Sequence, residues 1–152
     1  MTLSDALIVR PLSLADRPQW SDLWAAYLAF YKTSHSEEVF DTSFVRLIGD
    51  DPQDFNGLVA ELNGKLVGLT HFLYHRHGWK VEKVCYLQDL YAVPAVRGLG
   101  VGRRLIEAVY AAADAAGSPS VYWMTHSDNT QARNLYDRIG RLTPFIKYER
   151  AS

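Results

Sequence analysis

VRGLGVGRRL, residues 96–105, sets glycines at 98, 100 and 102 among arginines at 97, 103 and 104. One glycine serves one awkward backbone dihedral. Three at alternate positions, running into a periodic segment from Val101 to Ala116, leave the backbone bare where something large and anionic can approach. Lys83–Val93 ahead of the glycines reads as a strand, and the alanine-rich segment Val101–Ala116 behind them reads as a helix stopped by Gly117. The stretch is therefore a strand–glycine loop–helix unit. The free N–H groups of the helix's first turn point outward, and the macrodipole adds about half a positive charge there. Gly98, Gly100 and Gly102 let a pyrophosphate reach those amides, while Arg97, Arg103 and Arg104 supply charge-assisted contacts. The plainer alternative is a flexible turn ahead of a solvated basic face.

Working outward, Leu7–Leu12 reads as a first strand, and Ser13-Leu-Ala-Asp16 resembles a capping box with Asp in place of Glu. Trp20, Leu23, Trp24, Tyr27, Leu28 and Tyr31 recur at helical spacing, a stripe read as core rather than as a ligand box. Phe40, Phe44, Leu47 and Ile48 mark a second helix ending at Gly49. The period then changes. Asn56–Leu62 and Leu66–His77 are strand-like and meet at Asn63-Gly64, a hairpin signal. After the central unit come a strand at Ser120–Thr125, a helix at Asn129–Ile139 closed by Gly140, and a last strand at Thr143–Glu149. The order β-α-α-β-β-β-α-β-α-β predicts an α/β (α+β) fold, helices flanking a mixed sheet.

The chain has 152 residues, 48% of them hydrophobic, and a formal net charge of −1. These values predict a single domain over 1–152, with no global field drawing it to nucleic acid or to an anionic membrane. Met1–Arg10 lacks the pattern of a secretory signal, and no run approaches the roughly 18 apolar residues of a membrane span. One cysteine, Cys85, excludes an internal disulfide and a cysteine-based zinc cage, and in an apolar strand it reads as an inert buried thiol. A cytoplasmic protein is expected. His71, His75 and His77 share one face if their strand runs unbroken, and without cysteines or paired acids near them they read as a solvated face, so no metal is expected. The basic run at 97–104 has no interleaved aromatics, which speaks against nucleic acid.

Two familiar phosphate loops do not fit. A P-loop needs Gly-Lys-Ser/Thr where this chain has Gly102-Arg103-Arg104. A dinucleotide fold needs its third glycine at position 103 and an acidic residue about 20 positions on. Arg97-Gly-Leu-Gly100-Val-Gly102 resembles instead the Arg/Gln-x-x-Gly-x-Gly/Ala coenzyme A signature of the GNAT superfamily of N-acetyltransferases. LQDLYAVPAVRGLGVG (87–102) is similar to the strand and loop of spermidine/spermine acetyltransferases. GSPSVYWMTHSDNTQARNLYDRIG (117–140) resembles the second half of the superfamily. SVYWMT, PFIKYER and WSDLWAAYLAFY resemble the yeast histone-and-other-proteins acetyltransferase group, so the likeness covers nearly the whole chain.

The resemblance implies a GNAT fold with a mostly antiparallel sheet, and direct acetyl transfer from acetyl-CoA, a co-substrate, to a primary amine. It implies that Leu90, Tyr91 and Ala92 offer backbone groups to the pantetheine arm, and that Arg97, Gly98, Leu99, Gly100, Val101, Gly102 and Arg103 hold the pyrophosphate. Asn129 and Ala132 belong to the same binding set. Tyr136, in Asn129-x-x-Ala132-x-x-x-Tyr136, lies near the coenzyme sulfur and acts as general acid. A backbone N–H, that of Leu90, meets the developing oxyanion. The base is where the chain departs from the pattern. The spermidine/spermine enzymes carry glutamate where this chain has Gln88, which cannot take a proton, followed by an aspartate matched by Asp89. That leaves Asp89, His126, a water chain, or an amine arriving neutral. Acidic residues at 37, 38, 41, 50, 51 and 54 fall on the segment that walls the acceptor site in the resembling families. The acceptor is a small amine (amino acid or polyamine) or a protein lysine, and the remaining alternative is a coenzyme A-binding module without turnover. A homodimer through the C-terminal strand is also expected.

Overall fold

The computed structural model describes residues 6–152; Met1–Asp5, part of the stretch read for a secretory signal, lie outside the described residues. The elements run β1 (Leu7–Pro11), a 3₁₀ turn (Leu14–Asp16), α1 (Arg17–Phe30), α2 (Glu37–Ile48), β2 (Asn56–Leu62), β3 (Lys65–His75), β4 (Val84–Ala92), a second 3₁₀ turn (Pro94–Val96), α3 (Val101–Ala115), β5 (Val121–Tyr122) and α4 (Thr130–Ile139). Among the described residues the strands form one sheet in the order β1-β2-β3-β4-β5, with the first three pairings antiparallel and the last parallel.

Local chemistry sets most boundaries. The β2–β3 turn places Asn63 at φ 52° and Gly64 at φ 80°, the left-handed pair that a two-residue hairpin requires. Asp16 accepts from the Ser13 N–H at 2.8 Å and from Arg10 at 2.7 Å, and the Arg10 guanidinium holds its carboxyl below the usual range. Gly117 ends α3 in a Schellman turn: Gly117 N–H donates to Asp114 O and Ser118 N–H to Ala113 O.

Two helical layers cover the sheet. On one face Trp20, Leu23, Trp24 and Leu28 of α1, with Phe44 and Leu47 of α2, pack against Val59, Leu66, Leu69 and Tyr91. On the other face, α3 buries Val101, Leu105, Ile106, Val109 and Ala113 against Ala60, Val67, Phe72, Cys85 and Leu87. Each of its larger side chains contributes about 1.5–3 kcal/mol by burial. Gly68 lets α3 in close: a Cβ there would stand 3.1 Å from both Val101 and Leu105. That contact seats the N-terminus of α3 beside the end of β4.

Three expectations fail here. Thr143–Glu149 is not a strand: it pairs with no strand among the described residues, and Phe145, Ile146 and Tyr148 are 77%, 76% and 87% exposed. The strand expected over Ser120–Thr125 shrinks to Val121–Tyr122, because Trp123 turns its ring against Gly140 and Tyr136. The three histidines do not share a solvated face. β3 ends at His75, His77 lies in the following loop, and His71 is buried in the core.

Candidate active site

The site begins with a strand irregularity. His71 pairs with Asp89 and Phe72 with Leu87, so Gln88 is one residue too many on β4. This is a β-bulge, and it inverts the side-chain alternation. Before it, Cys85 and Leu87 face α3; after it, Asp89 and Tyr91 face α1. Gln88 itself is exposed, and Asp89 is buried.

Asp89 sits in a polar cluster among aromatic rings. Its Oδ2 lies 2.8 Å from His71 Nδ1, and its charge is felt by the nearby Tyr27 phenol. Trp20 Nε1 donates to His71 Nε2 at 3.0 Å. Burial, and then the Asp89 charge, push the Tyr27 phenol well above its ordinary range. Tyr31 is raised by burial and Tyr86 by burial and by Asp89. Trp24, stacked on Trp20, has a buried indole N–H without an acceptor among the described residues. The sequence reading placed Trp20, Tyr27 and Tyr31 in the core and missed their link to Asp89; their helical spacing gives no sign of it.

One edge of β4 is open. Its pairing with β5 stops after Tyr86↔Tyr122, while β4 continues to Ala92. Val93 N–H donates to Val67 O and Asp89 O accepts from the Thr70 hydroxyl, so the backbones of 89, 91 and 93 face β3. By strand alternation Leu90 and Ala92 face the uncovered edge, whereas the Tyr91 backbone does not. Ala92 O already accepts from Arg97 Nε at 3.0 Å. The Arg97 guanidinium lies 5.5 Å from the Tyr91 ring and 5.7 Å from that of Phe30.

The open edge leads into the glycine loop. Gly98 and Gly100 have φ of 81° and 87°, which L side chains rarely adopt, and a Cβ on either would project into open space. Gly100 is the N-cap of α3, so the first-turn amides of Val101, Gly102 and Arg103 lack intrahelical acceptors. These are the bare, outward amides that an anion needs. Arg103 is exposed and pairs with Glu107 at 2.7 Å, and Arg104 reaches back to Leu7 O. Leu99 is exposed. A chain of donors and open backbone thus runs from Leu90 to Arg103, matching a ligand with a peptide-like arm and a pyrophosphate.

The opposite wall is α4 and the loop before it. Asn129 caps α4, accepting from Ala132 N–H and donating to Thr125 Oγ1. A cavity of about 440 Å³ lies between this cap and α1, lined by Phe30, Tyr31, His126, Asp128, Asn129 and neighbours. Tyr136 packs edge-on against Trp123, with ring centroids 5.5 Å apart. Burial and nearby Tyr31 push its phenol up to about 12. The acidic positions expected to wall the acceptor site are in part engaged elsewhere: Glu37 and Asp41 both pair with Arg17. Among the described residues, no group of three or more His, Cys, Asp or Glu is placed to hold a metal, and no helix is long and apolar enough to cross a membrane.

Comparison with known proteins gives a consistent picture. The family model described as acetyltransferase (GNAT) family matches residues 19–140. The D-amino-acid N-acetyltransferase HPA3 of Saccharomyces cerevisiae is 37% identical over 149 residues, covering 97% of this chain and 92% of that protein. The thialysine N-epsilon-acetyltransferase of Mus musculus is 32% identical over 122 residues, 73% of this chain and 69% of that protein. Among solved structures, the aminoglycoside N-acetyltransferase AAC(6')-Iy in complex with CoA superposes with a TM-score of 0.82 at 17% identity, covering 95% and 94% of the two chains, a likeness of fold.

Proposed function

Because the chain belongs to the GNAT acetyltransferase family and is an N-acetyltransferase, we propose that it moves an acetyl group from acetyl-CoA directly to the primary amine of a small acceptor, an amino acid first. The observation that carries this reading is the open edge of β4, which leads from Leu90 to the empty left-handed glycines of the 98–102 loop with Asp89 and Tyr136 on its two sides. The named activities of the relatives, on D-amino acids and on thialysine, support a small acceptor.

Acetyl-CoA supplies an acetyl group activated as a thioester. The residues divide the remaining work. Leu90 and Ala92 pair with the pantetheine amides as an added strand would, and the amides of 98–103 hold the pyrophosphate with Arg97 and Arg103 beside them. Asn129 and Ala132 border the arm from the α4 side. Asp89 takes the ammonium proton, directly or through a water, so that the nitrogen lone pair attacks the acetyl carbonyl. The Leu90 N–H meets the negative charge that gathers on the carbonyl oxygen. Tyr136 gives its proton to the sulfur as the carbon–sulfur bond breaks, the nitrogen sheds its second proton to water as the amide forms, and solvent then takes the proton from Asp89 and returns one to Tyr136. With a phenol near 12 and a free thiol near 8.5, stepwise transfer is uphill by about 5 kcal/mol, so it must accompany bond cleavage. Gln88 takes no proton; its place in the bulge turns Asp89 toward the acceptor side.

The test is release of free thiol from acetyl-CoA across a panel of D- and L-amino acids, polyamines, aminoglycosides and lysine peptides. Turnover with the amino acids first is expected. Turnover with lysine peptides alone overturns the small-acceptor reading, and coenzyme binding without turnover on any amine leaves a binding module.

A further inference from the structure

A buried polar contact lies one step behind the proposed base. Trp20 is fully buried, His71 nearly so, and the two are joined at 3.0 Å through Trp20 Nε1 and His71 Nε2. An indole nitrogen can only donate. His71 Nε2 must therefore be the bare, accepting nitrogen. The ring's single proton is then on Nδ1, 2.8 Å from Asp89 Oδ2, where it is donated to the carboxylate. Chain separation makes this arrangement specific: it joins α1, β3 and β4, and it exists only because the bulge at Gln88 brings Asp89 opposite His71.

From this geometry we infer that Trp20 and His71 are positioning residues for acetyl transfer. Trp20 fixes His71 as the neutral Nδ1–H form, and His71 in that form holds the Asp89 carboxylate toward the acceptor amine. The inference deepens the reading of Asp89 as the proton acceptor and rests on it. The chemistry follows from counting donors. The Asp89 carboxylate receives a hydrogen bond from His71 at Oδ2, and oxygen lone pairs remain for an incoming ammonium. With both ring nitrogens engaged, the imidazole cannot flip without breaking two buried hydrogen bonds. Asp89 is thus presented at one orientation before any substrate arrives, which is what a proton acceptor within one hydrogen bond of its target needs.

The experiment begins with the wild-type chain. In ¹⁵N-labelled protein the two-bond spectrum of the His71 imidazole, identified by its loss in His71→Asn, is expected to show a protonated Nδ1 and a bare Nε2. An Nε2–H form in the wild-type protein overturns the inference whatever the variants do. His71→Asn keeps a donor near the Nδ1 position, and its kcat is expected within about threefold of wild type. His71→Leu removes the donor and is expected to lower kcat by about 10–100-fold with the KM for acetyl-CoA unchanged. Equal kcat in the Asn and Leu variants makes His71 a packing residue and overturns the proposal. Trp20→Phe keeps an aromatic ring and removes only the N–H donor; wild-type kcat in a folded Trp20→Phe protein likewise overturns the part given to Trp20. Failure of the underlying reading looks different: Asp89→Asn would then turn over normally while the imidazole spectrum stays as described.

Discussion

The two walls of the cleft are built differently. The β4 wall is finished: Asp89, His71 and Thr70 are buried, paired across two strands and tied to α1 through Trp20. The α4 wall has no fully buried residue on its helix, rests on a strand of two residues, and is followed by a segment whose apolar side chains stand in solvent. The orientation of the Asp89 carboxylate is thus prearranged in the bare protein. The placement of Tyr136 depends on fewer contacts: the Trp123 ring, the cap at Asn129, and the bond from the Tyr110 hydroxyl to Ile139 O. Electrostatic preorganisation belongs to one wall and adaptability to the other.

The strongest way to break this contrast is Asp89→Asn, which keeps size and hydrogen-bonding shape while removing the charge. Turnover is expected to fall toward the upper end of the 10²–10⁴-fold typical of general acid–base groups, with coenzyme affinity intact by calorimetry. A loss under about threefold would move the proton acceptor elsewhere, His126 first.

Tyr136→Phe is expected to cost about 10²-fold in kcat, the lower end of that range, because a less tightly held wall leaves room for water to supply the proton. The pH profile sharpens the point. A phenol pushed up to about 12 keeps its proton at all lower pH, so the acid form is fully present through neutrality and is lost only as pH rises toward that value. An alkaline fall in wild-type kcat centred near pH 9, absent from Tyr136→Phe, would contradict the displaced phenol.

Gly100→Val should weaken acetyl-CoA by about tenfold or more, since each unpaired phosphate contact and the left-handed backbone, worth about 1–2 kcal/mol, act in the same direction. Unchanged affinity in a folded variant would remove the pyrophosphate from this loop. A smaller, twofold effect concerns mass. Exposed Phe145, Ile146 and Tyr148 are expected to pair two copies, so light scattering should give a dimer that Phe145→Ser/Ile146→Ser/Tyr148→Ser converts to monomer. A monomer at high concentration with and without acetyl-CoA ends that expectation. The smallest effect is Gln88→Ala, whose turnover should stay within about threefold of wild type because its side chain lies in solvent. A larger loss would give the glutamine a contact in catalysis.

Much of the molecule is legible in the sequence where chemistry is local. Asn63-Gly64 names its own turn, the α1 and α3 stripes name their buried faces, and the alternating glycines mark the anion loop. What escapes is set by partners distant in the chain. LQDLY reads as an unbroken strand because an extra residue shows only against β3, and the missed bulge also hides the encounter of His71 with Asp89. The shared strand parity of His71, His75 and His77 suggests a common face only if β3 runs on to His77, and it stops at His75. FIKY carries the strand-forming Phe145, Ile146 and Tyr148, yet a strand exists only where it pairs, and in the described chain this segment joins none of the sheet's free edges.

Cys85 has a practical consequence. It is the single thiol of the chain, wholly buried beneath α3, with burial pushing it up to about 11. Thiolate is the reactive form, so at neutral pH this sulfur is shielded twice, by scarcity of the anion and by the sheet around it. A thiol-reactive dye therefore reads coenzyme released by turnover against a silent background as long as the fold is closed. Once substrate is omitted, the same dye becomes a clock for opening of the central sheet, because its slow labelling of Cys85 counts excursions in which α3 leaves β4.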